Sequence, residues 1–463
     1  MKRTDIIQKL NLEQKCALLS GETVFTTRAL PGKGIPAITL SDGPNGVRKQ
    51  AGAADHLGLN PSVPATCFPT SSATACSWDE KLGEAVGEAL GEEAAAQEVA
   101  VLLGPGLNIQ RSPLCGRDFE YFSEDPILAG RMAAAYVRGI QKNGISACPK
   151  HFAVNSQELR RMASDSVLDE RTLRELYLTG FEIVVKEAKP KTIMTSYNLI
   201  NGTYANENAH LLQDILRKDW GFDGAVVTDW GGSNDHALGV KNGSTLEMPC
   251  PGGDSIRELM KAVQDGKISE ADVDARLDEM LELVLSTHAA VEKAPRTFDA
   301  AAHHKLARRA AAESIVLLRN EGGILPLKPN EKLAVIGDFA ETPRYQGAGS
   351  SAVNALQVDT LLDSIKADDS GITLVGYASG FERQGAADAE KLEEAVALAK
   401  KADTVLLCLG LDELRESEGL DRSDMKLAEN QQAAIMEAGA DTQAFNAELS
   451  ETAENKVLDE LKS

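Results

Sequence analysis

"GAVVTDWGG", residues 224–232, decides how the chain folds. Small and β-branched apolar residues suit a buried strand, yet such a strand has no reason of its own to end on a carboxylate, an indole and two glycines. Something at that strand end has to be contacted. Outward from it, between residues 37 and 250, the same design recurs in "PAITLSD", "VAVLLGPGLNI", "GISACPKHF", "KTIMTSYN" and "STLEMPC". Helical periodicity separates these runs at about 79–98, 126–142, 169–188, 208–219 and 254–287. Ser123, followed by Glu124, Asp125 and Pro126, reads as an N-cap with an acidic first turn and an early proline. Alternating strands and helices predict parallel pairing. Each run turns polar at its C-terminal end: Asp42, Asn108, Lys150 with His151, Tyr197 with Asn198, and Asp229. In a (β/α)8 barrel those ends converge on the face that carries the active site. The expected fold of residues 1–287 is therefore a TIM-like (β/α)8 barrel with Asp229 at its mouth.

At 463 residues the chain exceeds what one hydrophobic core usually serves, so a second domain is expected. "HAAVEKAPRTFDAAAH", 288–303, breaks the pattern and reads as a linker. Residues 304–436 offer a helix, "LARRAAAESIVLLRN", and three strand candidates, "KLAVIGD", "ITLVGYASG" and "TVLLCLGL", the last preceded by the helix "AEKLEEAVALAKKA". That pattern predicts a second, apparently incomplete α/β domain of the α/β/α sandwich kind. The acidic stretch 437–463 has no strand candidate and reads as a terminal helix or frayed tail.

The charge balance narrows the function. Lys plus Arg is 48 against 70 Asp plus Glu, a net charge of −22, which argues against nucleic-acid or anionic-membrane partners and favours a small, neutral substrate. "MKRTDIIQKLNLEQK" lacks the apolar run of a signal peptide, and no stretch approaches the roughly 20 apolar residues of a membrane span. A cytoplasmic protein is expected. The seven cysteines, at 16, 67, 76, 115, 148, 250 and 408, form no CxxC pair, so neither a disulfide framework nor a zinc site is expected and most read as small core residues.

An aspartate beside Gly-Gly ordinarily caps a helix or closes a loop. Trp230 changes the reading of Asp229, because an aromatic face beside a carboxylate suits a sugar ring: C–H surface against the indole, hydroxyls against charge. A carboxylate attacking a sugar C1 needs a second carboxyl group to protonate the leaving oxygen, about 5 Å away in the retaining geometry. "LRESEGLDRSDM", 414–425, offers Glu416 and Glu418, the bland alternative being a solvated charged loop. Lys150 and His151 are adjacent, so both reach one ligand only if the strand has ended there; otherwise they are a surface lysine and a satisfied core histidine. "NIQRSPLCGRDFEYFSEDP", 108–126, sets Arg111, Arg117, Asp118 and Glu120 among Phe119, Tyr121 and Phe122. Such a network is usually structural, although a fixed guanidinium can also donate paired hydrogen bonds to vicinal hydroxyls. "YQGAGSSAV", 345–353, lacks the GK[ST] ending of a nucleotide loop and reads as a loop over the barrel mouth. His303 and His304 are expected to face solvent.

These motifs together resemble family 3 glycoside hydrolases of the β-glucosidase type. The resemblance runs from "LNLEQKCALLSGE" to about Asn430 and is carried by "SDGPNGVR", "GPGLNIQRSPLCGRDFEYFSEDP", "PKHFAVNSQELRR", "TSYNLING", "GFDGAVVTDW" and "ESEGLDRSDM". It implies that Asp229 is the catalytic nucleophile and that Glu418, not Glu416, is the general acid/base, arriving from the second domain so that the site lies between domains. It also implies a glycone pocket of Asp42, Arg117, Lys150, His151 and Tyr197 with Trp230 as its aromatic wall, no cofactor or metal, and small β-glucosides or oligosaccharides as substrates. "AVNSQELRR" does not match the family's β-N-acetylglucosaminidase branch. Lys150 and Arg117 are expected to keep Asp229 ionised, and a less polar loop to keep Glu418 neutral. Two alternatives stand beside this reading. One is a β-xylosidase or α-arabinofuranosidase with the same pair; the other is a catalytically impaired sugar-binding protein, since the family's second domain usually has about six strands, often followed by a β-sandwich, and Ala428 stands where a proline is common.

Overall fold

The computed structural model describes residues 1–52, 60–249 and 252–437; Cys250 and the tail beyond Glu437 lie outside the described residues. Two compact units emerge. The first joins Met1–Val316 with Gln346–Gln357 and Glu416–Ser423; the second joins Leu317–Tyr345, Val358–Arg415 and the described residues from Asp424 on.

In the first unit, Leu40–Asp42, Val101–Leu103 and Ser146–Ala147 form one parallel sheet, with Leu40 opposite Val101 and Val101 opposite Ser146. Thr192–Met194 pairs in parallel with Ala225–Val227. Single parallel bridges extend the series between Gly106 and Lys150, Phe152 and Thr195, Val227 and Leu246, and Ser20 and Glu247. Antiparallel bridges join Gly21 to Thr27 and Thr26 to Thr39, returning the succession to the strand at Leu40. All six runs thus enter parallel pairing, "STLEMPC" only through bridges. The strands are short and apolar because they are buried on both faces: Val101, Leu102, Leu103, Val226 and Val227 have no exposed surface.

The helices around them follow the periodicity with instructive departures. Glu80–Ala96 and Pro126–Gln141 lie backbone to backbone, since a Cβ on Gly87 would meet the Tyr136 carbonyl oxygen at 2.4 Å. Asp125, rather than Ser123, caps the second of these, accepting the N–H groups of Ile127 and Leu128. The stretch from Glu170 to Ala188 alternates α turns with wider i→i+5 turns, and His210–Asp219 is wide throughout. The single helix expected over 254–287 is two, Asp254–Gln264 and Glu270–Lys293. Gly266, at φ +71°, carries the chain out of the first, and a Ser269–Asp272 capping box starts the second. The stretch expected to link the domains at 288–303 is also largely helical: it holds the end of Glu270–Lys293 and the start of Ala300–Glu313. The latter helix belongs to the first unit and stops before "IVLLRN". His303, expected to face solvent, is buried, with Nδ1 2.7 Å from Glu93 and Nε2 3.3 Å from Glu92.

The second unit has its own parallel sheet, with Lys332–Ile336 between Thr373–Ala378 and Thr404–Leu407. Its central strand faces two ways. Leu333 and Val335 pack with Leu362, whereas Ile336 packs with Ala378 and Ala395. Leu361–Lys366 and Ala389–Ala399 thereby cover opposite faces, a layered α/β arrangement on three described strands. Among the described residues no helix is long and apolar enough to cross a membrane. The six described cysteines are free thiols; Cys16, Cys115 and Cys148 are buried, Cys67 and Cys408 partly so, and Cys76 is exposed.

Candidate active site

The strand Ala225–Val227 hands its chain to Thr228, whose hydroxyl donates to the Met248 carbonyl, and then to Asp229. Asp229 is buried. Its Oδ1 accepts the N–H of Trp230 at 2.8 Å, while its Oδ2 is buried without a hydrogen-bond partner, 3.7 Å from His151 Nε2. Gly231, at φ +80°, turns the backbone away immediately afterwards. The two residues after Thr228 are thus fixed by backbone contacts, which leave one carboxylate oxygen of Asp229 unpaired beside His151. Trp230 donates from Nε1 to the Val24 carbonyl at 2.7 Å, and its ring centroid lies 5.3 Å from that of Phe25. Tyr197 donates to the Trp230 carbonyl at 2.9 Å; burial and then the charge of Asp229 push its phenol pKa up.

Lys150 and His151 sit past the end of Ser146–Ala147, so both do turn into the same cluster. Lys150 Nζ lies 3.2 Å from Glu120 Oε1. Burial, the largest single influence, would lower its pKa, but Glu120, Asp42 and Glu418 together outweigh it and hold it above the ordinary lysine value. Arg117 Nε and Nη2 both reach Glu120 Oε2, at 2.8 and 2.6 Å, with neither partner exposed by more than 1%. Glu120 is therefore the shared counter-ion of two buried cations, and its pKa is low despite burial. His151 is clamped by Asn108, which accepts its N–H at 2.7 Å and donates to its carbonyl at 2.9 Å. Tyr121 Oη lies 3.2 Å from His151 Nδ1 and accepts from Asn155 Nδ2, so its own proton is available to Nδ1 and the tautomer leaves Nε2–H facing Asp229. Burial, with Arg117, Lys150 and Arg161 nearby, keeps the imidazole neutral.

Asp42 closes the strand Leu40–Asp42. Its carboxyl pKa is pushed up to about 6 by burial, against Lys150 and Arg48 and with help from Glu418 and Asp229. Burial likewise raises Asp229, with Arg117, Arg161 and Lys150 opposing. Those cations restrain the nucleophile candidate without fully offsetting its desolvation.

The Glu418 loop, Glu416–Ser423, comes in sequence from the second domain but clusters with the first compact unit, as does Gln346–Gln357, so all eight candidate residues lie in one unit. The apolar setting expected for Glu418 is not what the structure has. Oε1 is 2.9 Å from Arg161 Nη1 and 3.6 Å from Arg117 Nη1, and Oε2 accepts the Ser350 N–H at 2.7 Å. Burial opposes ionisation, but these partners hold its carboxyl well below the usual carboxylate range. The loop "YQGAGSSAV" thus contributes a backbone donor to Glu418. Glu416 acts instead on Asp118, whose pKa is pushed up to about 8 by burial first and Glu416 second. Arg111 is exposed.

Two residues of the site were not singled out from the sequence. Arg161 bridges Glu418 and Glu158, the latter at 2.7 Å, and lies 4.8 Å from the Tyr197 ring centroid. Glu158 is buried and also accepts the Gly419 N–H at 2.8 Å. Both stand in "PKHFAVNSQELRR", beyond the last strand residue, where no periodicity marks a facing direction. Among the described residues no cluster of three or more His, Cys, Asp or Glu is arranged to hold a metal ion.

Comparison with known proteins places this cluster. Residues 48–283 match the glycosyl hydrolase family 3 N terminal domain and residues 315–445 the glycosyl hydrolase family 3 C-terminal domain. The chain belongs to glycosyl hydrolase family 3. It is 46% identical over 443 residues to thermostable beta-glucosidase B of Acetivibrio thermocellus, covering 95% of this chain and 58% of that one. It is 44% identical over 448 residues to an exo-alpha-(1->6)-L-arabinopyranosidase of Bifidobacterium longum, covering 94% and 58%. Among solved structures, a Bifidobacterium adolescentis GH3 beta-glucosidase superposes with a TM-score of 0.87 at 41% identity, covering 93% of this chain and 62% of that one. The chain spans 58% of the length of these two curated relatives.

Proposed function

We propose that this chain is a retaining, exo-acting β-glucosidase that releases terminal, non-reducing β-D-glucosyl residues from small glucosides or oligosaccharides. The observation that carries it is the buried, unpartnered Oδ2 of Asp229, set at a strand end among Arg117, Lys150, His151 and Arg161. In this reading the closed succession of parallel and antiparallel pairings in the first unit is a TIM-like barrel, its ring completed by the segments around Gly21–Thr27 instead of eight regular βα repeats. The second unit is a partial α/β sandwich.

The reaction follows from the charges. Asp229 attacks the anomeric carbon, forming a glycosyl ester, while Glu418 protonates the departing oxygen; water then hydrolyses the ester with Glu418 as base, so configuration is retained. His151, neutral and presenting Nε2–H, donates to a sugar hydroxyl beside Asp229 without adding a charge. Asp42, Lys150 and Arg117 bind the remaining hydroxyls, and Trp230 offers its face to the ring. Held by Arg161, Arg117 and Ser350, Glu418 is ionised, the state that the second step requires of its base. The first step requires sugar hydroxyls to draw Arg161 and Arg117 off Glu418, so that substrate binding itself raises its proton affinity.

The test is hydrolysis of p-nitrophenyl β-D-glucoside by the 463-residue chain. Turnover abolished by Asp229→Ala supports the reading; no turnover on any aryl glycoside, with glucose still raising Tm, favours a sugar-binding protein. A second reading, a pentosidase with the same catalytic pair, is favoured by the 44% identity to an arabinopyranosidase. Comparing p-nitrophenyl β-D-glucoside, α-L-arabinopyranoside and β-D-xyloside by kcat/KM separates the two.

A further inference from the structure

The loop that carries Glu418 is flanked in sequence on both sides by residues of the other compact unit. Its place beside Arg117 and Arg161 therefore depends on non-covalent anchors, and one side chain supplies four of them. Asp421 Oδ1 accepts the N–H groups of Gly116, at 3.0 Å, and Glu158, at 2.9 Å; Oδ2 accepts those of Glu158, at 3.0 Å, and Leu159, at 2.8 Å. One carboxylate thus gathers three backbone amides from two loops that are neighbours of the site. The attachment is reciprocated. Glu158 Oε2 accepts the Gly419 N–H at 2.8 Å, and the Arg422 N–H donates to the Leu114 carbonyl at 2.8 Å. Contact is close enough that a Cβ on Gly116 would fall 2.4 Å from the Ser417 carbonyl oxygen and closer still to that of Leu420.

We propose that Asp421 is a positioning residue for the acid/base step: it fixes the Glu418 loop against the loops at Gly116 and Glu158. The proposal rests on the glycosidase reading above for its catalytic consequence, but not for the anchoring itself. Chemistry dictates a carboxylate here. Every group facing Asp421 in these contacts is a donor, so an asparagine would keep one acceptor and turn its own NH2 against an N–H. A misplaced Glu418 then costs most where leaving-group protonation matters most.

The experiment compares parent, Asp421→Asn and Glu418→Gln in the 463-residue chain on phenyl, p-nitrophenyl and 2,4-dinitrophenyl β-D-glucosides, with and without azide, alongside amide hydrogen exchange. For Asp421→Asn we expect kcat/KM to fall about 100-fold on the phenyl glucoside but less than about tenfold on the dinitrophenyl glucoside, with azide restoring turnover of the latter as in Glu418→Gln. Exchange should accelerate at 155–161 and 416–423 and stay unchanged in the strands. An equal loss on all three substrates, or unchanged exchange at 416–423, overturns the proposal. A parent inactive on every glycoside overturns the glycosidase reading instead; faster exchange in Asp421→Asn would then still support the anchoring, and unchanged exchange would refute it.

Discussion

Arg161 Nη1 stands 2.9 Å from Glu418 Oε1 and, on its other side, 2.7 Å from Glu158, so a single guanidinium nitrogen is divided between two carboxylates. Its charge also reaches Asp229, where it opposes the rise that burial causes. Removing it raises the proton affinity of both carboxyl groups of the proposed pair. The two titrate as a coupled system, and the optimum of kcat/KM lies midway between its two macroscopic pKa values. Arg161→Gln should therefore move that optimum to higher pH and raise KM as well. A pH profile with an unchanged or lower optimum contradicts the account.

Asp42 makes a prediction that separates stability from function. Burial pushes its carboxyl from an ordinary 3.8 to about 6, so the folded state binds the proton more tightly than the unfolded chain. The sign follows: the ionised form destabilises the fold above about pH 6, and this cost fades as pH falls to the unfolded value. The difference corresponds to about 3 kcal/mol. Asp42→Asn should raise Tm at pH 8, with the gain shrinking towards pH 4, while weakening sugar binding. A lower Tm at pH 8 would sink the idea.

Glu120 neutralises Arg117 and Lys150 together, with no exposed surface on its own side chain. Glu120→Gln removes the carboxylate that lies nearest to both buried cations, and breaking a buried pair in this way typically costs about 3–5 kcal/mol. The urea midpoint should drop accordingly. A shift worth less than about 1 kcal/mol would show that water or another carboxylate substitutes freely.

His303 ties the helix Ala300–Glu313 to Glu93, itself in Glu80–Ala96, and stacks on Phe298 with ring centroids 5.5 Å apart. Burial lowers its pKa, but the hydrogen bond and charge of Glu93, then Glu92, raise it above 6.5 overall. Its contribution to stability is thus complete below pH 6.5 and is lost as pH rises through the raised folded value. Thermal melts of His303→Gln should lie further below the parent at pH 6 than at pH 9; an equal difference at both would mean the ion pair contributes nothing.

Much of the first unit was legible because its buried strands are short runs of β-branched and small residues that end on polar ones: Asp42, Lys150 and Asp229 announce themselves by interrupting such runs. The break at 265–269 was missed, although Gly266 and the Ser269–Asp272 spacing carry it, because the apolar periodicity runs across it. What stayed hidden depends on partners distant in sequence. Glu418 meets Arg161 across 257 residues and Ser350 across 68, so no local pattern could show that it is ionised rather than neutral. His303 meets Glu93 across 210 residues, and a histidine at a helix start reads as solvated until that partner is known. Likewise, Glu416–Ser423 follows a strand of the second unit in sequence yet clusters with the first, because Asp421 and Glu418 find their partners there.

Asp229 as nucleophile and Glu418 as acid/base is the proposed pairing, and it leaves a stereochemical record on a β-glucoside. It is tested most directly by the product that the 463-residue chain carrying Glu418→Ala forms from 2,4-dinitrophenyl β-D-glucoside in azide, with Asp229→Ala alongside. The account predicts β-D-glucosyl azide from the first variant and no turnover by the second. Inverted product, or undiminished hydrolysis by Asp229→Ala, would contradict it.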